Sequence, residues 1–376
     1  MRVYFDNAAT TPLDKEVLEA MTPYMLEYFG NPSSIHSHGR EVKAAIEKAR
    51  RTVASLLNTS PSEVFFTSGG TEADNTFLQS SIQTYNIKHA ITSPIEHHAV
   101  LHCLEALEKE GKIKLSFVEL DDKGNINLDN LKNLIEEHPK SLVSLMHANN
   151  EIGNLNPIDQ IGELCASYGA IFHSDTVQTM GHYKHDLQKI KIASIVGSAH
   201  KFHGPKGVGF IYINNDNKIS PFIHGGAQER NMRGGTENVY GIIGLAKALE
   251  IAYRDMEAHR RHIEALKSAM IEKLKNSMPS VSFNGESGNL QKSLYTVLNI
   301  ALPASDSNDM LLFNLDISKI SASGGSACSS GSNIGSHVLK AINFPEDQAA
   351  VRFSFSKFNT MEEVDYVVEK LTELYK

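Results

Sequence analysis

Three cysteines in 376 residues, Cys103, Cys165 and Cys328, are too few and too widely spaced for a disulfide framework or a zinc pattern. A reducing cytoplasm is the natural setting for such a chain. Positive charge is also in short supply, with 36 Lys and Arg against 44 Asp and Glu and a formal charge of −8. No lysine- or arginine-rich block overrides that balance locally, so neither direct nucleic-acid binding nor a membrane surface is expected. Apolar runs are short. None approaches the roughly 18 residues of a membrane span, and the opening MRVYFDNAATT lacks an apolar h-region. Repeats and low-complexity tracts are missing as well. What remains is an ordinary globular composition, 41% hydrophobic and 21% charged. The length exceeds what one hydrophobic core usually supports, so two domains are expected.

Between about residues 40 and 215 the pattern alternates between helical and strand periods. EVKAAIEKARRTVASLL is an amphipathic helix, EVFFTS a strand, TEADNTFLQSSI a helix, KHAITS a strand and HHAVLHCLEALEKEG a helix. KIKLSFVEL, SLVSLMHA, AIFHSD, IASIVGS and GVGFIYI follow as strands, with helical stretches such as IDQIGELCASYG between some of them. That alternation predicts an α/β fold with a mostly parallel sheet covered by helices on both faces. Residues 241–276 read as one long or broken helix leaving this unit. Beyond them, SLYTVLNIAL and VRFSFS mix with shorter helices, a pattern that suits a smaller α+β domain completed by the N-terminal segment. The expected division is a large domain over 14–256 and a small one over 1–13 and 257–376. The Gly/Ser-rich stretch 321–336 interrupts the small domain as a mobile loop.

Ligands of open α/β sheets bind beyond the carboxyl ends of the strands, and the unusual polar clusters of this chain follow such ends. EVFFTS runs into Gly69-Gly70-Thr71, KHAITS into Glu96-His97-His98, and SLVSLMHA into Asn149-Asn150-Glu151. AIFHSD ends on Asp175, with Gln178 one turn later, and IASIVGS ends on Ser198, His200 and Lys201. One site at five strand ends is the economical explanation.

Gly69-Gly70-Thr71 has two readings: a tight turn with a helix cap, or an anion cradle of free N–H groups at a helix start. No GxxxxGK[ST] occurs, so it is not a nucleotide P-loop, and Gly207-Val208-Gly209 is too short for a dinucleotide fingerprint. His98 and His102 stand i, i+4 beside Cys103, but no third ligand at a sensible spacing makes a metal site. Asp175 ends a strand of buried type, and a buried acid needs a cationic partner. Lys206 sits in a turn between Pro205 and Gly207 and reads as solvated. Lys201 follows a buried strand directly, where partial desolvation lowers an amine's pKa and makes it a usable nucleophile. A desolvated lysine, a buried acid on a neighbouring strand and a phosphate cradle together meet the needs of pyridoxal 5'-phosphate.

The chain resembles cysteine desulfurases of the NifS/IscS type, in the class V aminotransferase group of fold type I pyridoxal-phosphate enzymes. The resemblance runs nearly end to end through DNAATTP, FGNPSSIHSHGR, FTSGGTEADN, EHHAV, HANNEIG, HSDTVQ, SAHKFHGPKG, MRGGTEN, SGGSACSSGS and VRFSFS. It implies a seven-stranded-type sheet in the large domain. It also implies that Lys201 bonds to the cofactor aldehyde and later shuttles the Cα proton. Asp175 would pair with the pyridine nitrogen and Gln178 with the ring hydroxyl, while His97 would stack on the ring and assist proton transfer. Gly70, Thr71, Ser198 and His200 would hold the phosphate, and Thr236 would complete that site from the other subunit of a homodimer. Asn150 and Arg352 would grip the substrate carboxylate, the arginine through its bidentate fork.

The same resemblance gives Cys328 its meaning. It would take the sulfur of L-cysteine as a persulfide, release L-alanine, and pass the sulfur to an acceptor protein such as an iron–sulfur scaffold or a tRNA-thiolation enzyme. No resident metal is implied, although Cys328 could touch a cluster or metal in transit. The motif departs from the family's usual SSGSAC by reading SGGSAC, a change that loosens the loop. A selenocysteine lyase or another class V aminotransferase-type enzyme is the alternative on the same scaffold, and an aminotransferase has no use for Cys328. Cys103 and Cys165 fall within helical patterns and read as core.

Overall fold

The computed structural model describes residues 1–305, 308–324 and 335–375. The chain opens on a short strand β1 (Val3–Tyr4), then α1 (Lys15–Leu26), whose N-terminus is capped by the Asp14 carboxylate accepting from the Glu16 N–H at 2.9 Å. Helix α2 (Ser37–Leu56) buries Val42, Ala45, Ile46, Ala49 and Val53, the i, i+3, i+4 stripe of an amphipathic helix. The alternating region then builds β2 (Val64–Thr67), α3 (Gly70–Thr84), β3 (His89–Thr92), α4 (His98–Lys109), β4 (Lys114–Phe117), α5 (Leu128–Glu137), β5 (Leu142–Ser144), α6 (Ile158–Tyr168), β6 (Ile171–Asp175), β7 (Ser194–Ser198) and β8 (Gly209–Ile213).

Strands β2 to β8 form one seven-stranded sheet in the order β2-β8-β7-β6-β5-β3-β4. Only β8 runs against its neighbours, pairing antiparallel with both β2 and β7, so the other six share one direction. The carboxyl ends of β2, β3, β5, β6 and β7 therefore lie along one edge. Every residue of β5, β7 and β8 is buried, as expected of strands covered on both faces.

Helices α7 (Val239–Arg254) and α8 (Met256–Ser277) follow, so the long helical pattern is two helices meeting at Asp255. After them come β9 (Ser282–Phe283), β10 (Val297–Leu302), α9 (Leu311–Ile317), β11 (Ile320–Ser321), α10 (His337–Ala341), β12 (Ala349–Ser354) and α11 (Met361–Leu374). Strands β9, β10 and β12 make an antiparallel sheet, and β1 pairs in parallel with β11. Val3 and Phe5 share one apolar cluster with Ile263 and Met270 of α8, Leu298 of β10, Phe353 of β12 and Val364 of α11. Both chain ends thus build one core, separate from the cluster beneath the seven-stranded sheet. Among the described residues no helix is long and apolar enough to cross a membrane. Cys328 and most of the stretch 321–336 lie outside the described residues.

Candidate active site

The strand ends open into a cleft of ≈ 210 Å³. Gly70, Thr71, His97, Asn150, Asp175, Gln178, Ser198, His200, Lys201 and Arg352 line it together. Of the residues given a role from sequence, Thr236 lines a different cavity with Ser68, Gly207 and Arg233, and Cys328 is outside the described residues; of the strand-end clusters, Glu96, His98, Asn149 and Glu151 do not line the cleft. Lys206 is exposed, as its turn position suggested.

The anion end of the cleft is the start of α3. Gly69 occupies the cap position with no side chain bonded to the helix N–H groups, so the first-turn donors are available to a ligand. Glycine is needed here by close approach. A Cβ on Gly70 would sit 2.8 Å from Val177 Cγ2, and one on Gly209 would sit 2.8 Å from the Gly69 Cα. Of the two readings of this turn, the uncapped helix start favours the anion cradle.

Lys201 Nζ donates to the carbonyls of Ala8 and Ala9, the second at 3.0 Å. Gln178 Nε2 reaches the same Ala8 carbonyl at 3.1 Å. The N-terminal DNAATTP stretch therefore lies across the cleft and holds its amine. Asp175 is buried and accepts from the Val177 N–H at 2.8 Å. Burial raises its pKa, against the Val177 hydrogen bond and the nearby Lys201 charge. Such a carboxylate gains from a cation placed over it.

His97 caps α4, its Nδ1 accepting from the Ala99 N–H at 3.1 Å, which leaves the ring proton on Nε2. Burial, then the charge of Lys201, then His337 and His102, push its pKa down to about 4. The ring is neutral at pH 7. His200 is likewise pushed down to about 4, by burial, Lys201 and Lys206, while its Nδ1 pairs with Thr10 Oγ1 at 3.2 Å.

Arg352 is 1% exposed. Its Nη2 meets Asp6 Oδ1 at 2.7 Å and its Nη1 donates to the Asn150 carbonyl at 2.9 Å. Its Nε has no hydrogen-bond partner among the described residues. Sequence reasoning missed Asp6, although it begins a motif that was recognised. It also missed Asp74, a fully buried acid on α3 that lines the cleft and whose two oxygens lack hydrogen-bond partners among the described residues. Burial, then Asp175, then Glu96 raise the Asp74 pKa well above the usual range. The His173 Nε2 stands 3.4 Å from it.

His98, His102 and His337 pack on one another, and Cys103 and Cys165 are buried. His98 and His102 stack at 4.4 Å, and His98 Nε2 faces His337 Nδ1 at 3.1 Å. Among the described residues no group of three or more His, Cys, Asp or Glu could hold a metal. Burial pushes the Cys103 and Cys165 thiols up to about 12, so neither is a nucleophile at neutral pH.

The cleft thus offers an uncapped helix start for a phosphate, a buried acid for a cationic ring nitrogen, an amine for an aldehyde and a guanidinium for a carboxylate. These requirements fit a phosphorylated, flat heteroaromatic aldehyde and an amino-acid substrate.

Residues 3–367 match the family model described as aminotransferase class-V. The chain is 42% identical over 379 residues to a cysteine desulfurase IscS of Clostridium botulinum, covering 100% of this chain and 94% of that protein. A solved structure titled NifS-like protein superposes with a TM-score of 0.91 at 39% identity, covering 100% of this chain and 99% of the other. Another, titled SspA in complex with cysteine, gives a TM-score of 0.82 at 31% identity, over 96% of this chain and 100% of that one.

Proposed function

The chain belongs to the class-V aminotransferase family, on the branch of the NifS/IscS-type cysteine desulfurases, and we propose from that premise that it is a pyridoxal-phosphate-dependent cysteine desulfurase. The observation that carries the reading is the convergence of the Lys201 amine and the buried Asp175 carboxylate in one cleft beside an uncapped helix start.

When bound, pyridoxal 5'-phosphate supplies an aldehyde that condenses with amines and a protonated ring that withdraws electrons from the substrate Cα. Gly70 and Thr71 at the start of α3, with Ser198 and His200, would hold its phosphate, and Asp175 would keep the ring nitrogen protonated. Gln178 would serve the ring hydroxyl, and the neutral His97 ring would stack on the cofactor ring. Lys201 would be the amine that holds the aldehyde, and its Nζ would carry the proton taken from the substrate Cα. Arg352 binds the substrate carboxylate with Asn150 beside it.

Cys328 supplies the thiolate. The Cβ–S bond of L-cysteine breaks, its electron pair stays with carbon and is protonated, and the sulfur bonds to Cys328 as a persulfide. L-cysteine and a thiol thereby become L-alanine and a persulfide, with atoms and electrons in balance. The persulfide sulfur passes to an acceptor protein, an iron–sulfur scaffold or a tRNA-thiolation enzyme, in the cytoplasm.

Thr236 lies outside the cleft of its own chain, which supports its contribution to the phosphate site of a partner in a homodimer. A large domain over 14–256 and a small one over 1–13 and 257–376 complete the reading. The test is incubation of the loaded protein with L-cysteine and a dithiol. L-alanine and sulfide in equal amounts are expected, and no alanine would overturn the assignment.

A further inference from the structure

The stretch Gln228–Asn231 has an unusual backbone. Glu229, Arg230 and Asn231 have φ of 45°, 56° and 67°, three consecutive non-glycine residues in the left-handed region. L-residues enter that region as single residues, and a run of them persists only where the surroundings impose it.

The surroundings here are a buried ion pair. The Glu229 carboxylate receives Arg50 Nη1 at 2.7 Å and Nη2 at 2.9 Å, and also the Phe66 N–H at 2.8 Å. Both side chains are 2% exposed. Arg50 donates onward to the Val64 carbonyl at 2.9 Å, and Arg230 reaches the carbonyls of Pro61 and Val64 at 2.8 and 2.6 Å. An arginine of α2 and the backbone of β2 therefore pin the segment in its strained form.

A second tie lies a few residues on. Arg233 pairs with Glu72 at 3.0 and 3.3 Å, and Glu72 is the neighbour of Thr71 in the first turn of α3. The chain then passes Gly234, where a Cβ would lie 2.6 Å from the Gly225 Cα, and arrives at Thr236. β2 runs into the Gly69-Gly70 turn in the same subunit. One strand thus fixes both the phosphate cradle of its own cleft and the exit direction of Thr236.

We propose that the Arg50–Glu229 pair is a positioning device that holds the 228–236 segment so that Thr236 reaches the phosphate in the partner subunit's cleft. The proposal rests on the reading that Thr236 acts across a dimer. It adds that the strained turn and its buried clamp set the aim of that hydroxyl, at a distance from the chemistry.

The experiment compares binding of pyridoxal 5'-phosphate and of pyridoxal, which lacks the phosphate, to the dimeric apo-protein by absorbance titration. Glu229→Gln should weaken pyridoxal 5'-phosphate binding by about tenfold, the scale of one charge-assisted contact, and leave pyridoxal within about twofold. Thr236→Ala should show the same selective loss, and the double variant should be no weaker than Thr236→Ala alone, because both remove one interaction. Should Glu229→Gln not fold, Glu229→Asp keeps the charge, shortens the reach and should show the same selectivity to a smaller extent.

Equal loss for both ligands would assign the clamp a purely structural role and overturn the proposal. Selective loss in Thr236→Ala with none in either Glu229 variant would also overturn it. No effect from Thr236→Ala would overturn the cross-subunit reading itself, an outcome distinct from the other two.

Discussion

Asp6 and Arg352 lie 346 residues apart in the chain and meet at 2.7 Å, and Arg352 lines the cleft. The Asp6 oxygen that accepts from Arg352 also accepts from the Ser323 hydroxyl at 2.8 Å, and the Ser323 N–H and carbonyl pair with the Arg352 backbone. One carboxylate therefore ties together the N-terminal motif, β12 and the residues leading into the cysteine segment.

Removing one partner of that pair leaves a buried guanidinium uncompensated. Since the Asp6 side chain retains 19% exposure, Asp6→Asn should cost about 2 kcal/mol, less than a fully buried pair would. Denaturant unfolding of the loaded protein checks this. Added L-alanine should restore more stability to the variant than to the wild type, because its carboxylate neutralises Arg352 in place of Asp6.

His97 loses its proton as the pH rises through about 4, so it is neutral throughout the working range. The pH profile of kcat between about 5.5 and 8 should contain no step that disappears on substitution of His97. His97→Phe keeps a ring against the cofactor but no transferable proton. It should lower kcat by about a hundredfold, the scale of one lost general acid or base, with cofactor affinity held within about threefold.

Lys267 is buried in the second core, donates to Ser293 Oγ at 2.8 Å and the Leu294 carbonyl at 3.0 Å, and has its pKa driven by burial down to about 7. Its unfolded value is about 10.4. Between these values the unfolded chain binds the proton and the native one does not, so stability rises with pH from about 7 to about 10.4 and levels off below about 7. The slope from one such group is at most about 1.4 kcal/mol per pH unit. Lys267→Met should flatten the rise in unfolding free energy between about pH 7 and 9; an unchanged slope would show that the native lysine keeps its proton.

Much of the site was legible because the polar clusters follow short, buried, apolar strands, and a mostly parallel sheet sends those strands to one edge. Asp175, Ser198 and Lys201 stand out by that pattern alone, whereas His97 and Asn150 share their clusters with neighbours and are singled out only by the resemblance. Asp6 and Asp74 do not stand out. Asp6 reaches the cleft only through pairing of the two chain ends, and Asp74 sits in the polar run TEADN, which resembles a solvated helix face. The Arg50–Glu229 contact spans 179 residues and leaves no periodic trace. The strand read across KIKLSFVEL is shorter in the fold, only Lys114–Phe117, at the edge of the sheet.

The account rests on Lys201 as the amine that bonds to the cofactor. Borohydride reduction of the loaded protein followed by peptide mapping reads that bond directly. The label is expected on the peptide carrying Lys201, with Lys206 unmodified. Label on Lys206, or a protein that takes up no pyridoxal 5'-phosphate at all, would contradict it.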